Sequence, residues 1–265
     1  MLQQGAHTSW LDDDRYDAAL QAETARFAEA VHDADPARPV PTCPEWTLAQ
    51  LTEHVGQAQR WVTVVLERRA PVPNAQVRAR VPEDPDPDER SAWLVAGARR
   101  LAQAVREVGP ATRVWSWSED QTARFWLRRT THDTLVHRAD AELAVGREVT
   151  VEPALAADGV ADLLDMFAVL PRVDDFPELA ELAGDGQTLH FCATDDDLGA
   201  AGEWLARRAP AGLAWERAHG PADLTVRGRA ADLLLVLTRR AAPRGRVEVA
   251  GDEALFAHWR DHSRF

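Results

Sequence analysis

Apolar positions in the first half of the chain recur at helical spacing. In "LDDDRYDAALQAETARFAEAVHDA" (11–34), Ala18, Ala22, Ala25, Ala28 and Val31 fall three or four residues apart, which predicts a first helix with those residues on its buried side. "DPARPVPTCPEWT" (35–47) then interrupts the pattern with four prolines. A second helix follows with the stripe Leu48, Leu51, Val55, Ala58, Val62 and Val65. Thr47 reads as its N-cap, Gln50 completes a capping box, and Trp46 is placed to pack on Leu51 as a hydrophobic staple. A polar stretch with five prolines (71–87) leads to a third helix, in which Asp86 caps, Pro87 takes the first turn, Glu89 completes the box and Gly109-Pro110 ends the run. After the aromatic link "RVWSWS" (113–118), a fourth helix covers about 122–145 and stops at Gly146. Four amphipathic helices with connections of moderate length predict an antiparallel bundle over 1–150.

The pattern then changes. "PALAADGVADLLDMFAVLP" (153–171) predicts a fifth helix, and the acidic "RVDDFPELAELAGDG" (172–186) reads as the boundary, so 151–186 is assigned to a connecting helix and linker. Beyond it, "TLHFCATD" alternates as a strand does, and "GLAWERA" and "ADLTVRG" give two more strands around the turn "HGP". "AADLLLVLTRR" predicts a helix, "RVEVAG" a strand and "DEALFAHWRDH" a terminal helix. The fold class is therefore α+β in two domains, a helical bundle and a smaller α/β module over 187–265.

Composition narrows the function. The formal net charge is −13, whereas nucleic-acid binders carry a basic face, so nucleic acid is not an expected partner. All 30 cationic residues are arginine, a usage that suits a GC-rich genome. The two cysteines, Cys43 and Cys192, form no CxxC, which argues against a zinc knuckle or a thioredoxin-type motif. No apolar run approaches the ~20 residues that span a bilayer, and the first residues lack a secretory pattern, so a cytoplasmic protein without a membrane partner is expected.

The chemistry concentrates in "RRTTHDTLVHRADAE" (128–142). Residues four apart differ by only about 40° around a helix, so Asp133 and His137 share a face, while His132 points elsewhere. An Asp–His pair at this spacing on a solvated face is common, worth about 0.2–0.5 kcal/mol. The second helix adds a histidine, His54, on or beside its buried stripe. A lone histidine there more often packs in a core. Two neighbouring helices of a bundle can nonetheless bring His54, Asp133 and His137 together. Two nitrogens and one oxygen suit a catalytic zinc with an open fourth position, or the two-histidine, one-carboxylate triad of ferrous enzymes. Glu53 and Asp140 are the nearby carboxylates that could orient the imidazoles. The signatures of serine hydrolases, P-loop NTPases, dinucleotide binders and HExxH proteases are absent.

"PTCPEWTLAQLTEHVG" (41–56), "HDTLVHRADAELAVG" (132–146) and the C-terminal run including "VEVAGDEALFAHW" resemble, in this order, the mycothiol-dependent maleylpyruvate isomerase family. The resemblance covers nearly the whole chain. It implies a DinB-like metal-binding bundle followed by a sterol-carrier-like domain. It also implies metal ligands at His54, Asp133 and His137, with zinc or another divalent metal as cofactor. Asp133 departs from the pattern, which has glutamate there; aspartate is one methylene shorter. Mycothiol, the small thiol of actinobacteria, would be the cosubstrate. Its thiolate would add to a double bond for cis–trans isomerisation, or attack a small electrophile in S-transfer. The resemblance further places an arginine near the substrate, at Arg239 or Arg240 in "LTRRAAPRGR", which suits an anionic small molecule; the same arginines could simply complement a helix C-terminus. Cys43 matches a family cysteine and reads as a structural thiol rather than a nucleophile. Two other readings stay open: a thiol-independent metalloenzyme or tailoring enzyme, and a non-catalytic small-molecule-binding protein. A monomer or small homo-oligomer is expected.

Overall fold

The computed structural model describes residues 11–77, 86–170 and 177–263. Part of the proline-rich connection (78–85) and the start of the acidic stretch (171–176) lie outside the described residues. The chain divides into two compact units, Met1–Val149 and Thr150–Phe265.

The first unit holds helices α1 (Asp13–Val31), α2 (Leu48–Arg68), α3 (Pro87–Val108) and α4 (Ala123–Ala144), with a two-stranded ribbon, β1 (Pro39–Val40) and β2 (Cys43–Thr47), between α1 and α2. The helix starts follow local chemistry. Asp12, Thr47, Asp86 and Thr122 each accept a backbone N–H with the side chain, and full capping boxes form at Thr47–Gln50 and Asp86–Glu89. Gly109 and Gly146 take positive φ at the ends of α3 and α4.

Residue pairs fix the sense of each helix. Asp13 pairs with Arg124 and Glu23 with Arg138, so α1 and α4 run parallel. Gly56 faces Trp93 and Glu67 pairs with Arg100, so α2 and α3 also run parallel. Asp17–Arg106 and Trp61–Trp126 show the two pairs opposed. The bundle is thus antiparallel between pairs, not between every neighbour.

The buried face of α1 differs from the one the alanines suggest. Ala18, Ala22 and Ala25 are exposed, and Tyr16, Leu20, Phe27 and Val31 are buried. Larger side chains remove more apolar area from water and set the rotation of the helix. Glu23 and Thr24 sit on that same face and hide its pattern in the sequence. Glu23 is tolerated there because the fully buried Arg138 donates to it at 2.7 Å and to Glu142 at 2.5 Å.

The second unit is a mixed five-stranded sheet with three helices. The strands are β3 (Thr188–Ala193), β4 (Glu203–Ala209), β5 (Gly212–Glu216), β6 (Leu224–Gly228) and β7 (Val247–Gly251), in the order β5-β4-β3-β6-β7. Only the central β3–β6 pair is parallel. The helices are α5 (Pro153–Val169), α6 (Ala230–Leu237) and α7 (Glu253–His262). α5 is not a free connector: it packs on α6 and β5, and Trp215 donates to Asp165 at 3.1 Å. β4 is a strand that the sequence pattern did not single out. Its buried face reads Trp204, Ala206, Arg208, and the arginine breaks the apolar alternation. Arg208 is accommodated by donating to the carbonyls of Glu181, Leu182 and Ala183. Among the described residues no helix is long and apolar enough to cross a membrane.

Candidate metal centre

His54 on α2 and Asp133 and His137 on α4 come together inside the first unit. One ligand atom from each lies within 4.8 Å of the others. The imidazoles of His54 and His137 meet edge to face, ring centroids 4.9 Å apart. Tetrahedral zinc with ligands at about 2.0–2.1 Å needs donor atoms roughly 3.4 Å apart, so small side-chain adjustments close the set.

The surroundings hold these donors. His137 Nδ1 lies 2.9 Å from Asp140 Oδ2, which leaves Nε2 to face a ligand. Asp140 is fully buried and accepts a hydrogen bond from Thr42 Oγ1 at 2.5 Å. Arg129, one turn before Asp133, donates to its Oδ1 at 3.3 Å. Trp46 tilts over both imidazoles, 4.7 Å from His54 and 6.1 Å from His137 between ring centroids. Its neighbours thus extend beyond the Leu51 cluster expected of a staple. Glu53 instead accepts from Gln57 at 2.5 Å. Cys43 is half-buried and not disulfide-bonded, with Sγ 3.8 Å from Asp140 Oδ2.

The electrostatics suit a cation. Burial holds the His54 imidazole below its ordinary pKa, against the upward pull of Asp133, which favours the neutral, ligating form. At Asp133 burial pushes the carboxyl up, but His137, Arg129 and His54 outweigh it and the net shift is downward, toward the carboxylate.

Sequence reasoning missed the parts contributed by Thr42, Trp46 and Arg129. Arg129 was open to view, four residues from Asp133. Thr42 and Trp46 depend on the β1–β2 ribbon, whose Pro39–Thr47 and Val40–Cys43 pairing turns the proline-rich segment back over the site. His132 is buried on another face of α4, edge-on to Tyr16. Arg239 and Arg240 lie in the second unit, just beyond α6. Arg239 takes a left-handed backbone (φ 67°) and donates to the Arg260 carbonyl, and Arg240 donates to the Thr238 carbonyl at 2.7 Å.

Comparisons with known proteins place the family and the fold. Residues 18–142 match the family model described as the mycothiol maleylpyruvate isomerase N-terminal domain. Residues 154–258 match the model of the corresponding C-terminal domain. Crystal structures of a mycothiol-dependent maleylpyruvate isomerase and of a histidine-to-alanine mutant of it each superpose with a TM-score of 0.57 at 14% identity, covering 91% of this chain and 93% of theirs. At that identity the superposition shows the shared fold. No curated protein matches the chain.

Proposed function

The chain belongs to the mycothiol-dependent maleylpyruvate isomerase family, and from that premise we propose that it is a metal-dependent enzyme using the mycothiol thiolate on a small electrophilic substrate. The observation that carries this reading is the convergence of His54, Asp133 and His137 with Asp140 behind His137. The donor set, two imidazoles and a carboxylate, fits zinc with one position left for a ligand. When bound, zinc supplies the positive charge that lowers a thiol pKa from about 8.5, so that thiolate forms near neutrality. Asp140 fixes the tautomer and ring plane of His137. Arg129 restrains Asp133 on the side of α4. Trp46 covers the imidazoles and limits water on that side. Arg239 and Arg240 are proposed to carry the charge of an anionic substrate.

Cis–trans isomerisation of a maleylpyruvate-like substrate is the first reaction to test, with S-transfer as its neighbour. The test has two arms. Metal analysis of purified protein is expected to give about one divalent ion per chain, assigned to this donor set by its loss in His54→Ala and His137→Ala. Turnover of maleylpyruvate is expected only with mycothiol present. Full metal retention in both variants would remove the metal assignment. Thiol-independent turnover would move the protein to another metalloenzyme class on the same fold.

A further inference from the structure

A second cluster of potential ligands lies wholly within the C-terminal unit. Alternation along β3 sends Leu189 and Phe191 into the core and His190 and Cys192 to the opposite face of the sheet. Glu203 on β4 is the direct cross-strand partner of Cys192 and sits diagonally from His190. Its carboxylate lies 2.5 Å from His190 Nε2 and 3.5 Å from Cys192 Sγ. His219 adds an imidazole from the loop after β5, with Nδ1 3.4 Å from the same carboxylate. The two rings meet edge-on, centroids 5.1 Å apart. One donor atom each from His190, Cys192 and Glu203 falls within a 4.8 Å set. A cleft of about 460 Å³ opens beside Glu203 and His219, with Arg227 and Asp195 on its wall.

This arrangement does not suit a cysteine nucleophile. Arg227, the partner of Cys192 on β6, also reaches the thiol, but burial and the Glu203 carboxylate outweigh it and hold the sulfur toward the protonated form, and the imidazole contacts the carboxylate rather than the sulfur. A cation among the three reverses that logic, since it attracts both anions and takes the neutral imidazole nitrogen. Nitrogen, sulfur and oxygen donors together select a zinc-class ion over magnesium or calcium. We propose that His190, Cys192 and Glu203 form a second metal site for a zinc-class divalent ion, with His219 beside the remaining coordination position and the cleft as its route of access. The proposal does not rest on the site in the helical unit.

Cobalt(II), added to the metal-free full-length chain, is the probe, because thiolate ligation gives a near-ultraviolet charge-transfer band. The band is expected in the wild type and in Cys43→Ser, and is expected to vanish in Cys192→Ser. Glu203→Gln is expected to weaken cobalt binding at least tenfold, with thermal unfolding showing that each variant still folds. The His54→Ala, His137→Ala double variant is expected to keep the band while losing any cobalt held by the bundle. The site in the bundle can therefore fail without affecting this result. No band in the wild type, a band that survives in Cys192→Ser, or one lost in Cys43→Ser instead would overturn the second site.

Discussion

His137 Nδ1 lies 2.9 Å from Asp140 Oδ2, although neither element of the pair leaves α4. A buried carboxylate behind a ligating imidazole fixes its tautomer and raises its basicity. Asp140→Asn keeps the size of the side chain and removes that charge. Metal affinity is expected to fall about 10–100-fold, measured by competition with a chromophoric chelator. An unchanged affinity would falsify the orienting role.

Asp133 tests the shorter side chain directly. Its oxygen already reaches within 4.8 Å of both imidazole donors, despite the missing methylene. Asp133→Asn is expected to lose metal at neutral pH, because the amide keeps the shape without the negative charge that balances the ion. Asp133→Glu is expected to keep it. Calorimetric titration with zinc separates the two; equal binding by Asn and Asp would remove the carboxylate from the ligand set.

Arg138 is a fully buried cation held between Glu23 and Glu142. Arg138→Met leaves the buried Glu23 and Glu142 with the partly exposed Arg26 as counter-charge in place of a buried one, which is expected to destabilise the protein by up to about 3–5 kcal/mol. Replacing Glu23, Arg138 and Glu142 together with apolar residues of similar volume is expected to recover most of that loss. Chemical denaturation of both variants checks this, and a single variant of wild-type stability would contradict it.

Trp93 of α3 packs directly against α2 at Gly56. A Cβ there would lie 1.8 Å from the Trp93 ring, over which Arg60 stacks at 4.0 Å. Alanine gains about 1 kcal/mol of helix propensity, yet displacing the ring and its cation costs more. Gly56→Ala is expected to be destabilising by about 1–2 kcal/mol net, read as a lowered melting temperature.

Asp223 joins two strands of the second unit. Hydrogen bonds from the Thr188 backbone N–H (2.7 Å) and Oγ1 (2.9 Å) hold its carboxyl below the usual range. A depressed folded pKa stabilises above the unfolded value of about 3.9 and loses that stabilisation as pH falls through the folded value. Asp223→Asn should therefore lower the melting temperature at pH 7 and converge on the wild type under acid. A difference that stays constant from neutral pH to about pH 2 would contradict the linkage.

Features set by neighbours in sequence were legible. The caps at Thr47 and Asp86, the stops at Gly109 and Gly146, and the shared face of Asp133 and His137 each need only a few adjacent residues. So does Asp140, three residues from the histidine it supports. What escaped depends on distant partners. Glu23 belongs in the core only because Arg138 meets it, and Arg208 belongs in β4 only because three carbonyls receive it. Each put a charge where a periodic pattern calls for an apolar residue. The ribbon over the candidate metal centre is similar: Thr42 finds its partner 98 residues away.

The parallel alignment of α1 with α4 has a consequence for how the protein is made. The side chains that pair with Glu23 and Arg26 belong to the last helix of the unit to leave the ribosome. Until residues 123–144 emerge, Glu23 lacks its buried counter-charge, and the face bearing Tyr16, Leu20 and Phe27 lacks a principal covering element. A nascent chain ending after α3 therefore carries exposed apolar surface, the condition in which chaperones bind and aggregation begins. Since α4 also carries two of the three candidate donors, closure of the bundle and completion of the proposed metal centre become one event in synthesis.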